Sequence, residues 1–437
     1  MEWYWLIIIF FSGLLIVMLT GLPIAFSFLA VLLLATFFIL GGGAGLTQIT
    51  LSVFSELTRY VWMPFILFML MGEVIYNSKL GPDIIGALDM WLGRLPGRLG
   101  LLAVSSGTAL STLTGTSMAS TAILGTTLVP EFEKRGYKKS MSLGPILGSG
   151  GLAMMIPPSG LAVYVAVLTE ASIGRVLIGI IIPGLMMATL YASYIILRSR
   201  LQPSVAPPYH VPPTPLSKKL KASATYILPI GIIIFLVIGV IILGVATPSE
   251  AAATGAVGTY LLAALHKRLN WELIKQSLKG TLKLSVMIFM IATGAIIFGK
   301  LLALSGAARG LAQFLVGLDV HLILIFMGIQ FFGFLLGMFL TPAGVVTLIV
   351  PTFLASLHTL GIDLVWFSVI LVLNAEMATT SPPFGPSLYV MKGVAPKGTT
   401  LGDCYRSALP FLGCDLIVMV LLIAFPPLVH WLPQLMR

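Results

Sequence analysis

The sequence predicts an all-α polytopic membrane protein, arranged as an inverted repeat with two re-entrant helical hairpins and two broken helices. Hydrophobic residues make up 58% of the 437 residues and charged residues only 9%, so the chain has too little polar surface to coat a water-soluble globule. Apolar runs of about 20 residues, the length that crosses a bilayer as a helix, recur along the chain. Two of these runs contain a double proline, "MIPPSG" at 155–160 and "TSPPFG" at 380–385, and proline interrupts a helix because it lacks the backbone donor.

The apolar runs define the predicted membrane spans. These lie near residues 3–20, 23–40, 51–77, 140–171, 174–197, 223–245, 249–266, 281–304, 363–393 and 407–431. The first run has no basic region before it and no small-residue cleavage site after it. It is therefore expected to stay as a span instead of being removed as a signal peptide.

Two further apolar stretches, at about 97–131 and about 321–358, predict helical hairpins. Each is too short for two full crossings with a turn, and too long and interrupted for one crossing. A hairpin that enters and leaves on the same face fits these lengths, provided that protein surrounds it, because lipid cannot pair with irregular backbone. The alternative is a pair of short, tilted spans in each stretch.

Basic residues set the predicted topology and account for the net charge of +10. They cluster after the first hairpin, in 198–222 and in 267–283, which the positive-inside rule assigns to the cytoplasmic side, so they do not indicate a nucleic-acid surface. The spans then place the N-terminus, the base of the second hairpin and the C-terminus outside. Two amphipathic stretches, 81–98 and 267–283, are predicted to lie along the cytoplasmic surface as interfacial helices.

The two halves of the chain share one order of motifs. Residues 1–197 and 223–437 each contain a glycine at a hairpin tip, a Val-Pro pair and a helix cut by a double proline, at about 140–171 and about 363–393. With opposite topologies, such halves form the inverted repeat of a secondary transporter. The proline-rich stretch 198–222 is predicted to be an extended, solvated cytoplasmic linker between them.

The broken helices predict a binding site at membrane depth. A break exposes the carbonyl groups of one half-helix, which suit cations, and the N–H groups of the other, which suit anions. The first hairpin tip, within 105–127, is rich in hydroxyls and has no charged residue. Such oxygens suit a monovalent cation such as sodium and are poor ligands for zinc, and the two cysteines have no zinc spacing. The alternative is that these small residues only permit close helix packing, as "GFLLG" at 333–337 also suggests.

Several motifs in order carry a family resemblance. They are "GLPIAF" (21–26), "MGEVI" (71–75), "GTSMASTAILGTTLVPEFEKRGY" (115–137), "GSGGLAMMIPPSGLAVYVAVLTEASIGRVLIGIIIPG" (148–184), "GMFLTPAGVVTLIVPTFLASLHTLGI" (337–362) and "VLNAEMATTSPPFG" (372–385). With these motifs the chain resembles the large membrane subunit of tripartite ATP-independent periplasmic (TRAP) transporters over nearly its whole length.

The resemblance implies a sodium-driven importer of small organic anions that is surrounded by lipid in the bacterial inner membrane. Its partners would be a small four-helix membrane subunit and a periplasmic substrate-binding protein. The hairpins and broken helices would move together as the transport domain of an elevator, with both chain termini in the periplasm. Sodium is the coupling ion, and no other cofactor is expected.

The resemblance also implies site residues. By position these are Gly115, Thr116 and Ser117 at the first tip, Gly337 and Thr341 at the second tip, Pro157, Pro158, Ser159, Thr379, Thr380, Ser381, Pro382 and Pro383 at the breaks, and Asn374 before the second break. Sodium is assigned to Gly115, Ser117, Gly337 and Thr380. Family members commonly have an acid where this chain has Thr341 and an apolar residue where it has Glu376, so Glu376 is included in the site.

Other functions predict other features. A proton-coupled transporter needs a titratable group in the pathway, and Glu73 or Glu376 could serve, since acids inside a membrane are costly and usually functional. A passive channel needs rings of identical residues from an oligomeric pore and no inverted repeat. An intramembrane hydrolase needs a base beside its serine, and neither hairpin has a histidine or lysine in its deep part. The chain is therefore not expected to be an enzyme.

Overall fold

The computed structural model describes residues 2–93, 95–114, 116–209 and 214–436. Over these ranges the chain forms helices and turns without a β-strand, which confirms the predicted all-α fold. The helices of the first half are α1 (Trp3–Leu19), α2 (Ile24–Ile39), α3 (Gly43–Leu57), α4 (Met63–Ser78), α5 (Gly81–Asp89), α6 (Arg98–Thr114), α7 (Ser117–Lys134), α8 (Lys139–Ser142), α9 (Gly144–Met155), α10 (Gly160–Leu168), α11 (Ile173–Gly179) and α12 (Ile181–Leu201).

The helices of the second half begin with a short helix that forms the last part of the stretch predicted as the linker. They are α13 (Leu216–Ala222), α14 (Leu228–Ile234), α15 (Val240–Ile242), α16 (Pro248–Leu265), α17 (Trp271–Leu304), α18 (Ala307–Val316), α19 (Leu322–Gly337), α20 (Pro342–Thr359), α21 (Leu364–Thr380), α22 (Pro386–Val394), α23 (Leu401–Ala424) and α24 (Pro427–His430). Two π-helical turns join α13, α14 and α15 into one helix from Leu216 to Ile242.

The helix lengths and compositions are those of a multi-pass membrane protein. Within the described ranges, six helices are long and apolar enough to cross a bilayer, or up to seven if the bent pair formed by Lys139–Met155 and Gly160–Leu168 is one span. The shorter apolar helices α1, α2, α19 and α21 add to this set. Many large apolar side chains on these helices are exposed, as expected where lipid is the solvent.

Two predicted elements differ from the structure. The span at 51–77 is wrong at its start, because α3 ends at Leu57 and a short 3-10 turn at Tyr60–Trp62 leads into α4. The interfacial helix at 267–283 is also wrong, since α17 runs for 34 residues without interruption, about 51 Å at 1.5 Å per residue. Gly280 does not end this helix; it lies where any Cβ would overlap the Glu73 carboxyl of α4.

The same order of elements occurs in both halves. A membrane helix (α4 or α17) is followed by a short helix (α5 or α18), a helix pair (α6 and α7, or α19 and α20), a broken helix (α9 and α10, or α21 and α22) and a last long helix (α12 or α23). Helix α9 packs against α6, α7 and α12, and α21 packs against α19, α20 and α23. Because α9 also packs against α21, the two broken helices meet in the middle of the protein.

The linker is more ordered than the predicted solvated connector. Val205 and Ala206 are buried, and the Lys138 N–H after the first hairpin donates to the Val205 carbonyl at 3.1 Å. The Tyr209 hydroxyl accepts a hydrogen bond from Arg98 Nη1 at 2.8 Å, and the Arg135 guanidinium lies 4.1 Å from the centre of the Tyr209 ring. The first part of the linker is therefore fixed to the base of the first helix pair.

Candidate functional site

A cavity of about 510 Å³ lies where the tips of both helix pairs meet the breaks. We call its two sides the hairpin wall and the helix wall. The hairpin wall consists of Thr116, Ser117, Met118, Met154, Leu161, Tyr164, Phe339, Leu340, Thr341, Pro342, Ala343, Thr379, Phe384 and Pro386. The helix wall consists of Met18, Leu22, Pro23, Ile24, Ala25, Phe65, Met69, Leu284, Met287, Ile288 and Ile291.

The two walls differ in chemistry. Every hydroxyl among the described lining residues belongs to the hairpin wall, and the helix wall is entirely apolar. Thr116, Ser117, Thr341 and Thr379, four of the residues singled out from the sequence, therefore lie on one side of one cavity. None of the described lining residues is charged, so any ion held here must bind to hydroxyls, carbonyls and N–H groups.

Three hydroxyls connect the first tip with the second break. Ser117 Oγ lies 2.9 Å from Ser387 Oγ and 3.4 Å from Thr379 Oγ1. We call Ser117, Thr379 and Ser387 the hydroxyl cluster. All three are buried, and the chain positions they join are more than 260 residues apart. The cluster supplies closely spaced oxygens without a carboxylate.

Several helices begin at the cavity. Helix α7 starts at Ser117 and has no side-chain cap from Thr116, so its first N–H groups keep their capacity to donate. Helix α20 starts at Pro342, and Thr341 Oγ1 accepts a hydrogen bond from the Gly344 N–H at 3.3 Å. Helix α22 starts at Pro386, which also lines the cavity. Converging helix N-termini give the cavity a partial positive potential, which suits an anion.

The first break lies behind the cavity. Helix α9 ends at Met155 and α10 begins at Gly160, with a bend of 47°. Ser159 caps α10 by accepting a hydrogen bond from the Ala162 N–H at 3.3 Å. Pro157, Pro158 and Ser159 are buried and are not among the lining residues, so they shape the backbone of the site without touching its contents. Both double prolines have a cis peptide bond.

The second break places Thr379 and Phe384 on the cavity, whereas Thr380, Ser381 and Pro382 do not line it. The Gly385 N–H donates to the Ser381 carbonyl at 3.0 Å. A Cβ on Gly385 would lie 2.6 Å from the Thr379 carbonyl oxygen, so this turn requires glycine.

Other residues singled out from the sequence have structural contacts away from the cavity. Gly337 packs against Ala378, since a Cβ on Gly337 would lie 2.6 Å from that of Ala378. Asn374 Nδ2 donates to the backbone carbonyl of Gln330 at 2.6 Å and to its Oε1 at 2.9 Å, which joins α21 to α19. Gly115 lies outside the described residues.

The two membrane acids do not line the cavity either. Glu376 is fully buried against α9, where a Cβ on Gly151 would overlap its carboxyl group. Glu73 is half-buried on α4, and its Oε2 accepts a hydrogen bond from Asn77 Nδ2 at 3.0 Å. Within the described residues there is no group of three or more His, Cys, Asp or Glu side chains that could hold a metal ion.

Two contacts near the cavity were not predicted from the sequence. Ser387 belongs to the hydroxyl cluster, and its position in the first turn after the second break is the signal that could have indicated it. The Tyr164 hydroxyl lies 2.6 Å from Thr347 Oγ1 and connects α10 with α20. A tyrosine in an apolar helix gives no such indication, because its partner is 183 residues away.

Comparison with known families decides the identity of this architecture. The sequence profile of the family "Tripartite ATP-independent periplasmic transporter, DctM component" matches residues 11–428. The chain belongs to this family. The sequence resemblance to TRAP large membrane subunits is thereby confirmed, and the function is that of a TRAP transporter large permease subunit.

Individual relatives of this TRAP permease differ in what their names say they carry. The C4-dicarboxylate TRAP transporter large permease protein of Rhodobacter capsulatus is 28% identical, over 98% of this chain and 99% of that protein. The isethionate TRAP transporter permease protein DctMQ of Oleidesulfovibrio alaskensis is 26% identical, over 92% of this chain and 62% of that longer protein. Among solved structures, the YdaH transporter of Alcanivorax borkumensis has the same fold, with a TM-score of 0.61 and 15% identity over 90% of each chain.

Proposed function

We propose that this TRAP permease is the membrane subunit of a sodium-coupled importer of small organic anions in the bacterial inner membrane. The observation that carries the proposal is the uncharged cavity with its hydroxyls on the hairpin wall and helix N-termini pointing into it. We further propose that the two halves form an inverted repeat with both chain termini in the periplasm.

An organic anion fits the cavity by size and by electrostatics. A volume of about 510 Å³ is within the usual range for small-molecule sites. The N-termini of α7, α20 and α22 offer N–H donors to an anionic group, as helix N-termini in transporters do. Two relatives are named for C4-dicarboxylates and isethionate, which are both small organic anions.

Sodium fits the oxygens beside the anion. Ser117, Thr379 and Ser387 place three hydroxyl oxygens together, and oxygen ligands without thiolate or imidazole suit hard monovalent cations. The carbonyl end of α21 lies at the same place, which adds a partial negative charge. A cation bound there would lie next to the N–H groups that hold the anion, so each ion would favour the binding of the other.

An elevator motion fits the contrast between the two walls. In an elevator the hydroxyls would move with the hairpin wall, while the helix wall on α1, α2, α4 and α17 presents only apolar side chains to them. Such a surface forms no hydrogen bonds that must break when the hairpin wall slides. The partners we propose are a small four-helix membrane subunit and a periplasmic binding protein that delivers the anion.

Uptake into proteoliposomes tests the proposal. The permease, its small subunit and its binding protein would be reconstituted and supplied with a labelled C4-dicarboxylate or with isethionate. We expect uptake only with an inward sodium gradient and with the binding protein present. Uptake at full rate without sodium, or without the binding protein, would contradict the proposal.

Proton coupling is the second candidate, and the burial of Glu376 is the observation that favours it. A carboxyl group inside a membrane protein is costly to ionise, so it could take up and release a proton during transport. Neither Glu376 nor Glu73 lines the cavity, which favours sodium as the coupling ion. In the same liposomes, uptake driven by an inward proton gradient without sodium would support the second candidate.

A further inference from the structure

Two acids are buried together in the interior of the protein, away from the cavity. Glu376 on α21 has an exposed fraction of 0% and Asp415 on α23 of 1%. Their helices, α21 and α23, pack against each other, and both pack against α9. They lie where α9, α12, α21 and α23 pack together.

The two acids have different partners. The Tyr191 hydroxyl of α12 donates a hydrogen bond to Asp415 Oδ1. In contrast, both Glu376 oxygens are buried and have no hydrogen-bond partner among the described residues. A buried ionised carboxylate without a donor or counter-charge is strongly destabilising, so Glu376 in this environment requires a neutralising ligand.

No basic side chain supplies that neutralisation. Among the described residues, no Lys, Arg or His forms an ion pair with either acid. The titratable groups facing the pair are Tyr191 of α12 and Cys414 of α23. The surrounding helices carry four other charged side chains. Arg200 and Arg406 are exposed, Arg198 Nη1 donates to the Tyr194 hydroxyl at 2.8 Å, and Asp403 pairs with Lys139.

The space beside the Glu376 carboxyl group is large enough for a proton and too small for a metal cation with its ligands. Gly151 of α9 packs so closely that a Cβ there would overlap Glu376 Oε1, and neither acid lines the cavity of the candidate site. A sodium ion needs a shell of several oxygens, whereas a proton needs no additional volume. We propose that Glu376 and Asp415 form a proton-binding pair, in which Glu376 carries the proton and Asp415 accepts from Tyr191.

Infrared spectroscopy of the purified protein tests where the proton is. The wild type at neutral pH should show the carbonyl band of a protonated carboxylic acid, and Glu376→Gln should lose it. Glu133→Gln, which removes an exposed carboxyl group at the base of the first helix pair, is the matched control and should keep the band. Loss of the band in Asp415→Asn instead would put the proton on Asp415 and overturn the assignment.

Thermal stability against pH gives a second test that does not depend on transport. A neutral buried acid favours the folded state while it holds its proton and disfavours it when high pH removes the proton. The melting temperature of the wild type should therefore fall as the pH rises above about 4.3, the ordinary pKa of a free glutamate, and Glu376→Gln should lack most of this fall. Identical profiles in the two proteins would overturn the proposal.

A sodium titration of the same proteins separates the two possible ligands. If wild-type stability rose with sodium and Glu376→Gln abolished that rise, the pair would be a cation site and the proton assignment would be wrong. A sodium effect that is equal in both proteins supports the proton. Because these measurements use no substrate, their outcome is independent of whether the proposed sodium-coupled uptake is correct.

Discussion

Ser117 connects the first helix pair with the second broken helix through a single hydroxyl. Its Oγ lies within 3.4 Å of both Thr379 Oγ1 and Ser387 Oγ, and its backbone begins α7. In the proposed function, this one residue would contribute an oxygen to the cation and would lie at a helix end that favours the anion. Ser117 is therefore the residue at which we expect binding of the two ions to be most directly coupled.

Ser117→Ala should weaken sodium binding while the protein stays folded. Loss of one hydroxyl contact is worth about 1 kcal/mol, which corresponds to about a fivefold higher sodium concentration for half-maximal uptake. Uptake measured across a sodium series checks this. The matched control is Thr126→Ala on the same helix, because Thr126 Oγ1 donates only to the backbone carbonyls of Ala122 and Ile123 one turn earlier. An unchanged sodium dependence in Ser117→Ala would exclude the hydroxyl cluster as the sodium site.

The double prolines act at the scale of the helix. Between Met155 and Gly160 the chain leaves the helical path and turns by 47°, so the carbonyl end of α9 and the N-terminus of α10 are separated. At the second break, the five residues between Thr380 and Pro386 separate the carbonyl end of α21 from the N-terminus of α22. Without the prolines, each pair of half-helices could hydrogen-bond as one helix and withdraw its ends from the site.

Replacing Pro382 and Pro383 with alanines should reduce uptake by at least tenfold without preventing membrane insertion. The added N–H groups allow α21 to extend past Thr380, which moves Thr379 and Ser387 out of register with Ser117. Pro410→Ala is the control, because Pro410 lies inside the uninterrupted helix α23 and should leave uptake unchanged. Full uptake by the double variant would show that the second break has only a packing role.

The sequence predicts the breaks and tips because their signals are local. Double prolines, tip glycines and hydroxyls mark Thr116, Ser117, Thr341 and Thr379, which the fold does bring to one cavity. The partners of these residues are not predictable in this way. Asn374 bonds Gln330 of another helix, and the direction of Glu376 depends on Gly151 of α9, so both depend on how separate helices pack.

The whole molecule presents two surfaces to the cavity. Both walls combine residues from both halves of the chain, and the helix wall consists of residues from α1, the turn after it, α2, α4 and α17. No single stretch of sequence contains either surface. Composition could predict the membrane fold, but the apolar side chains of the helix wall look like any lipid-facing residues until the tertiary structure places them opposite the hydroxyls.

Cross-linking the two walls should stop transport if they move past each other. Cysteines at Met118 and Met287, one on each wall, would be introduced into a protein with Cys404 and Cys414 replaced by serine, and joined by a bifunctional thiol reagent with a reducible spacer. We expect uptake to be lost on cross-linking and to recover after reduction. Each single-cysteine protein treated with the same reagent is the control and should remain active. Normal uptake in the fully cross-linked protein would exclude relative motion of the walls.

The contrast between the two walls also bears on how such permeases diversify. In the proposed function the solute binds the wall that carries the hydroxyls and helix N-termini, so mutations there would change which solute is held. Exchanges among Leu, Ile and Met on α17 would alter only the apolar surface opposite that wall, and so would act on speed. Solute choice and turnover would then be inherited through separate residues, and a duplicated gene could acquire a new solute without rebuilding the part of the protein that supports its motion.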